Sequence, residues 1–172
     1  LARRSNLSIA VIEKGAGVGA GSTGASSAIC RARYSVDETL VLARDGIHAY
    51  RHWKEFTGLA EPAAEFVEDG VLWMPGSDQG WADAEHQRMQ AFGIASEVLD
   101  DGDIAERFPA LSTCTLAPDI ETGEAHECKG GSRNLFEAQG GHVDPMAATG
   151  DLVEACRNHG VEVRFRSRVS GI

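Results

Sequence analysis

The chain has 172 residues, of which 42% are hydrophobic and 24% charged, proportions that are typical of a globular protein. Its formal net charge of -10, from 16 basic and 26 acidic residues, repels phosphate backbones and argues against a nucleic-acid partner. No run of about 18 apolar residues is present, so we predict no membrane span. The apolar part of the N-terminal segment is also too short for a signal peptide.

The four cysteines are scattered and form no C-x-x-C pair, which is typical of reduced thiols. We therefore expect a cytoplasmic protein, or a protein of the mitochondrial matrix in a eukaryote. Cys114 and the run from His126 to Cys128 fit no standard zinc spacing, so we predict no metal site.

The N-terminal part of the chain is typical of an α/β layer. Residues 1–4 resemble the end of a helix, and residues 8–12 are apolar without polar alternation, which predicts a strand buried on both faces of a parallel sheet. A glycine-rich loop follows. Apolar residues then recur at spacings of three and four, which predicts a helix over residues 37–56 that Gly58 ends.

The middle of the chain mixes strands with helices. Two strand pieces, a helix, a strand and a short helix are predicted, in that order, at residues 65–68, 70–74, 78–92, 94–99 and 100–107. Residues 112–134 are polar and contain three glycines, which predicts a surface excursion. Another strand is predicted at residues 135–137.

The C-terminal part returns to an α/β pattern. Pro145 is suited to the first turn of a helix that runs to about residue 158, and Gly160 ends it. Strands are predicted at residues 161–165 and from Val169 onward. The whole order predicts an α/β fold in which incomplete Rossmann-like layers are interrupted by part of an α+β subdomain.

The stretch GAGSTG, residues 19–24, matches the dinucleotide fingerprint G-x-G-x-x-G. In the true fingerprint the glycines follow strand one directly, and an acid ends strand two about twenty residues later. Here the acid, Glu13, comes before the glycines. We therefore interpret residues 8–12 as strand two and expect the phosphate-binding turn upstream of Leu1.

Two interpretations stay open for this region. The Glu13 carboxylate can accept hydrogen bonds from a ribose diol, or it can be a solvated acid at a strand end. Residues 21–27 can approach the middle of a cofactor, with Ser22, Thr23, Ser26 and Ser27 as donors, or they can form a flexible loop with capping serines.

The run EKG followed by GAGSTGASSAICRARYS resembles the N-terminal region of FAD-dependent amine oxidoreductases of the D-amino-acid-oxidase superfamily. The likeness is greatest to the sarcosine oxidase branch, including its β-subunit type and dimethylglycine dehydrogenase relatives. GGHVDPMAATGDLVEACRNHGVEVRFRSRVSGI is similar to a second landmark of that family, and EDGVLWMPG to a strand of its substrate domain.

The resemblance implies FAD as the cofactor and a small amine or amino acid as the substrate, with partner subunits possible. It implies FAD-binding parts at residues 1–57 and 141–172 and a substrate-domain part at residues 58–140. The residues that it implies for FAD binding are Glu13, Lys14, Gly21, Ser22, Thr23, Ser26, Ser27 and Val169. Arg31 matches an arginine that lies near the flavin and holds the substrate carboxylate, although a surface arginine paired with an acid is the alternative.

Three departures from the family pattern qualify these expectations. The first βα unit is absent, so we expect this segment alone to bind FAD poorly. The excursion at residues 112–134 is longer than in the family. No histidine occupies the glycine–serine loop, which predicts non-covalent FAD.

Three functions follow as hypotheses. The first is an FAD-dependent enzyme that oxidises a C–N bond of a sarcosine- or glycine-like substrate, with most catalytic residues beyond Ile172. The second is a non-catalytic binding protein that keeps the FAD fold. The third is an NAD-dependent Rossmann dehydrogenase, since Glu13 would repel the 2′-phosphate of NADP.

Overall fold

The computed structural model describes residues 1–75, 80–113, 122 and 130–171. Most of the predicted excursion lies outside these residues, as do Cys114 and the run from His126 to Cys128. The chain forms two compact units, which consist of Leu1–Cys30, Leu42–Glu68 and Gly141–Ile172 for the first, and of Arg31–Val41 and Asp69–Gly140 for the second. The predicted boundary after residue 140 is also a unit boundary, whereas residues 58–68 lie in the first unit.

A parallel pair of strands organises one side of the first unit. Strand β1 (Ala10–Ile12) pairs with β8 (Glu162–Arg164), with Ala10 opposite Glu162. This confirms the predicted parallel pairing of the first strand. Burial on both faces is not observed, since Val11 and Ile12 are 44% and 48% exposed. Two strands alone have too few neighbours to cover both faces of a sheet.

An antiparallel sheet forms the other side of the first unit. Strand β7 (Gly141–Val143) lies between β2 (Ile29–Cys30) and β3 (Phe66–Val67). A Cβ at Gly141 would overlap the Val67 carbonyl, so this strand crossing requires glycine. The core beside the sheet consists of Trp53, Ala64, Val143 and Ala148.

The predicted helix over residues 37–56 is two helices, α1 (Asp37–Arg51) and α2 (Trp53–Thr57). The break lies at His52, whose φ of -120° leaves the helical region. Its ring Nδ1 lies 2.9 Å from the His48 carbonyl oxygen and competes with the backbone for that acceptor. Gly58, at a φ of 72°, ends α2 as predicted.

Helix α5 (Pro145–Asn158) confirms the predicted C-terminal helix, with Pro145 in its first turn and Asp144 as its N-cap. Strand β8 follows it. The strand predicted from Val169 is wrong for the described residues 169–171, which have no strand conformation. A short apolar run forms a strand only where a neighbour accepts its backbone hydrogen bonds.

The second unit is built on an antiparallel sheet. Its strands lie in the order β4 (Val71–Trp73), β6 (Asn134–Glu137) and β5 (Glu97–Leu99). Helices α3 (Trp81–Ala91) and α4 (Asp101–Arg107) complete the described elements. The two predicted strand pieces at residues 65–68 and 70–74 therefore belong to different sheets. Among the described residues no helix is both long and apolar enough to cross a membrane.

Asp151 joins three parts of the first unit. Its carboxylate is 4% exposed and accepts hydrogen bonds from Trp53 Nε1 at 2.7 Å, Ala63 N at 2.9 Å and Ala64 N at 2.8 Å. Burial alone would raise the pKa of Asp151, but the three N–H donors outweigh it and hold the pKa below its ordinary value. The carboxylate thus stabilises the fold in its ionised form.

We expect Asp151→Asn to lower the free energy of unfolding by about 2–4 kcal/mol at neutral pH, because an amide N–H₂ would face an N–H donor. The deficit should shrink in acid. A lowered folded pKa stabilises the protein above the unfolded pKa of about 3.9, and this stabilisation is lost as the pH falls through the folded pKa. Urea unfolding of both proteins across this range measures the difference. Asp45→Asn, at an exposed pair with Arg44, is the control and should change stability by less than about 0.5 kcal/mol. An undiminished deficit in acid would contradict the electrostatic origin.

Candidate functional site

Glu13 lies directly after β1, at the edge where both parallel strands end. Its backbone N donates to Arg164 O at 2.8 Å, and its carbonyl accepts from Ser167 N at 3.0 Å. The half-buried carboxylate accepts a hydrogen bond from Gly15 N, and the described residues make no other hydrogen bond to it. Ligands of α/β sheets bind at the carboxyl ends of the strands, so this acid is placed to accept from one.

The glycine loop that follows does not have the geometry of a phosphate-binding turn. Gly24 N donates to Gly19 O at 2.9 Å, so residues 19–24 close on themselves. The next element is strand β2 at Ile29, and α1 begins only at Asp37. A phosphate turn must lead from a strand directly into a helix N-terminus. The interpretation of GAGSTG as something other than the dinucleotide fingerprint is therefore confirmed.

A cavity of about 420 Å³ lies within the first unit, next to this loop. Three of the predicted cofactor residues, Ser22, Thr23 and Ser26, line it. Its remaining lining is Ala28, Ile29, Cys30, Tyr50, Val143, Pro145, Ala148, Thr149 and Leu152. Ser26 Oγ accepts from Ala28 N at 2.9 Å, which leaves its hydroxyl hydrogen free to donate to a ligand. An apolar wall with a few hydroxyls is typical of a cofactor or small-molecule site.

The other predicted cofactor residues do not line this cavity. Glu13 and Lys14 lie at the strand ends, and Val169, which is 58% exposed, follows Ser167 in the segment that bonds to Glu13. Gly21 and Ser27 belong to the loop and are exposed. The predicted residues therefore form two groups in the first unit, one at the carboxyl edge and one at the cavity.

The opposite wall of the cavity was not predicted from the sequence. It comes mainly from α5, where Pro145, Ala148, Thr149 and Leu152 recur at spacings of three and four and so share one helix face. That spacing was visible in the sequence, but which element it faces was not. The Asp144 carboxylate already accepts from Met146 N and Ala147 N at 2.8 and 3.0 Å, so this helix start offers the cavity an apolar wall more than free donors.

Arg31, the predicted substrate-binding residue, lies in the second unit against two aromatic rings. Its guanidinium carbon is 4.6 Å from the Trp73 ring centroid and 5.1 Å from that of Tyr34. The described residues accept no hydrogen bond from its N–H groups. By contrast, Arg33 Nε donates to Glu85 Oε2 at 3.1 Å. Of these two arginines, Arg31 has the planar fork available for a carboxylate.

Glu137 is a buried carboxylate that the sequence analysis assigned to a strand and gave no role. It is 1% exposed, and its oxygens accept from Ala32 N at 2.7 Å, Arg33 N at 3.2 Å and Trp73 Nε1 at 2.6 Å. Burial raises the pKa of Glu137, and these N–H donors and the charge of Arg31 offset only part of that effect. The available signal was a glutamate inside the apolar strand NLFE.

Comparison with known proteins decides the family. The model of the FAD dependent oxidoreductase (DAO) family matches residues 1–172. The chain belongs to the FAD dependent oxidoreductase family. This confirms the coarser part of the resemblance, whereas the sarcosine oxidase branch stays a prediction. No curated protein matches the chain.

Solved structures share the fold of this FAD dependent oxidoreductase chain. L-proline dehydrogenase from P. horikoshii has a TM-score of 0.76 at 17% identity, over 99% of this chain and 40% of that one. Glycine oxidase from Bacillus cereus ATCC 14579 has a TM-score of 0.70 at 17% identity, over 100% and 43% of the two chains. L-amino acid deaminase from Proteus vulgaris has a TM-score of 0.65 at 18% identity, over 96% and 37%.

These identities support a common fold, and the chain spans about two fifths of the length of these three structures. The mixed α/β architecture predicted from the sequence is confirmed by the family match. The cofactor of the family is FAD, as predicted.

The residues present fit FAD. The Glu13 carboxylate has acceptor capacity beyond its bond to Gly15, as a ribose diol requires. The cavity beside the glycine loop combines the hydroxyls of Ser22, Thr23 and Ser26 with an apolar wall, a combination suited to a ligand with a polar chain and an aromatic ring.

Proposed function

We propose that the protein oxidises the C–N bond of a small amino acid or N-methyl amino acid, with FAD as the hydride acceptor. The observation that carries the proposal is Arg31, which lies on two aromatic rings with N–H donors that no described residue uses. In a family that uses FAD, a cation of this kind is suited to hold a substrate carboxylate.

The names of the structural neighbours support the same substrate class. They are a proline dehydrogenase, glycine oxidases and L-amino acid deaminases, whose named substrates all carry a carboxylate beside a C–N bond. A sarcosine- or glycine-like substrate is the finer proposal, and it rests on the likeness of the glycine–serine loop to the sarcosine oxidase branch.

The residues of this chain would bind and orient the reactants. Glu13, Lys14 and Val169 would hold the adenosine end of FAD, and the group Gly21, Ser22, Thr23, Ser26 and Ser27 would hold its middle. Arg31 would anchor the substrate carboxylate through two parallel N–H···O bonds, which limits rotation of the substrate. Bound FAD supplies the hydride acceptor, and the imine product hydrolyses in water.

The visible spectrum of the purified full-length protein tests the proposal. We expect flavin bands near about 370 and 450 nm that bleach when sarcosine or glycine is added without oxygen. Dimethylamine, which lacks the carboxylate, is the control and should bleach them far more slowly. Flavin bands that no amino acid bleaches would favour a non-catalytic protein. Binding of NADH in place of FAD would favour the NAD-dependent alternative.

A further inference from the structure

We propose that Glu137 is a positioning residue for Arg31, because it fixes both the backbone that follows Arg31 and the ring against which the guanidinium lies. The proposal rests on the proposed role of Arg31 as the substrate-carboxylate anchor. All the residues concerned belong to the second compact unit.

The first contact is with the backbone. Glu137 Oε2 accepts from Ala32 N at 2.7 Å, and Oε1 accepts from Arg33 N at 3.2 Å. These are the two peptide groups that directly follow Arg31. Because the chain around Arg31 forms no helix and extends past β2 as a loop, these bonds limit where the Arg31 Cα can lie.

The second contact is with the ring. Trp73 Nε1 donates to Glu137 Oε1 at 2.6 Å, and the Arg31 guanidinium carbon lies 4.6 Å from the Trp73 ring centroid. In the β4–β6 ladder, Val71 is opposite Glu137 and Trp73 opposite Leu135, so Trp73 and Glu137 are diagonal neighbours on one sheet face. The carboxylate therefore orients the indole that packs on Arg31.

A carboxylate suits this position better than an amide. Three N–H donors converge on two oxygens, and an ionised carboxyl group accepts at both. In glutamine, one oxygen becomes an NH₂ group that would face at least one of the three donors. Glu137→Gln therefore preserves the side-chain shape while it disturbs the bonds that hold the Arg31 segment and Trp73.

Asp151 provides a matched control. It is also buried, and it too accepts from two backbone N–H groups and one indole N–H, in this case those of Ala63, Ala64 and Trp53. It lies in the first unit, whereas Arg31 lies in the second. Asp151→Asn thus reproduces the loss of one buried carboxylate without disturbing the residues that contact Arg31.

The experiment uses the full-length, FAD-loaded protein and two measurements. We expect Glu137→Gln to raise the KM for the amino-acid substrate about 10-fold with kcat changed less than about 2-fold, because a misplaced anchor weakens substrate binding. The dissociation constant of propionate, a carboxylate without an amine, should rise by about the same factor in calorimetry. Asp151→Asn should leave both values unchanged.

A double variant tests whether the effect passes through Arg31. If Glu137 acts by positioning Arg31, then Arg31→Gln with Glu137→Gln should bind propionate no more weakly than Arg31→Gln alone. Additive losses, or a Glu137→Gln protein with wild-type propionate affinity, would overturn the proposal. If Glu137→Gln fails to fold, Trp73→Phe removes the indole N–H and keeps an aromatic ring, and it should weaken propionate binding in the same direction. Unchanged binding by Trp73→Phe would then overturn the proposal.

The proposed function can fail separately. If Arg31→Gln binds propionate as tightly as the wild type, Arg31 is not the anchor, and both ideas fall. If Arg31→Gln loses propionate binding and Glu137→Gln keeps it, the anchor stands and the positioning role alone is wrong.

Discussion

Arg31→Gln is expected to raise the KM for an amino-acid substrate roughly 100-fold, because a bidentate carboxylate pair contributes two charge-assisted hydrogen bonds of about 1.5–3 kcal/mol each. Arg31 lies on the rings of Trp73 and Tyr34, which keep its guanidinium plane fixed. Lysine retains the charge but not the planar fork, so Arg31→Lys should restore only part of the affinity. Steady-state kinetics with sarcosine or glycine measures both variants.

A matched variant and a matched substrate separate this effect from general damage. Arg33 is two residues away and pairs with Glu85, so Arg33→Gln should raise the KM less than about 3-fold. Glycinamide carries no carboxylate, and its much weaker turnover should be the same in wild type and Arg31→Gln. An equal loss with glycine and glycinamide would argue that Arg31 acts on the fold and not on the carboxylate.

The elements that the sequence predicted well are those with local signals. Helix α5 has Pro145 in its first turn and Gly160 past its end, and both signals act within a few residues. Strand β8 follows with its apolar run. The parallel pairing of β1 was predicted from the absence of polar alternation, and the register of Ala10 with Glu162 confirms it.

Elements that depend on distant partners were not predicted. Strands β2 and β7 have two and three residues, and they exist because each accepts the other's backbone hydrogen bonds across about 110 residues of sequence. The break at His52 comes from a side-chain bond to the His48 carbonyl, which helix periodicity does not register. Sheet membership of residues 65–68 and 70–74 likewise depends on which strand lies beside each.

The candidate site divides in the same way. Ser22, Thr23 and Ser26 were predicted together because they share one short loop, and they do line one cavity. The facing residues of α5 and the buried carboxylates Glu137 and Asp151 were not found. Acidic residues are usually exposed, and only the folded chain identifies the three N–H donors that surround each of these two.

Glu13→Ala is expected to weaken FAD binding roughly 100-fold, because the carboxylate would lose two charge-assisted hydrogen bonds to the adenosine ribose, each of about 1.5–3 kcal/mol. Glu13→Gln retains one acceptor oxygen and should lose less. The quenching of flavin fluorescence on titration into the full-length apoprotein measures the dissociation constant. Glu162→Gln is the control, since this exposed carboxylate lies at the amino end of β8 and pairs with Arg164.

FMN distinguishes a ribose contact from support of the loop. Glu13 also accepts a hydrogen bond from Gly15 N, so its removal could loosen the glycine loop without any direct contact with cofactor. FMN has the flavin and one phosphate but no adenosine, so a ribose contact predicts an unchanged FMN affinity in Glu13→Ala. Loop loosening predicts that FMN and FAD affinities fall together. Since Glu13 lies at the strand ends and does not line the cavity beside Ser22 and Ser26, we expect the FAD affinity alone to fall.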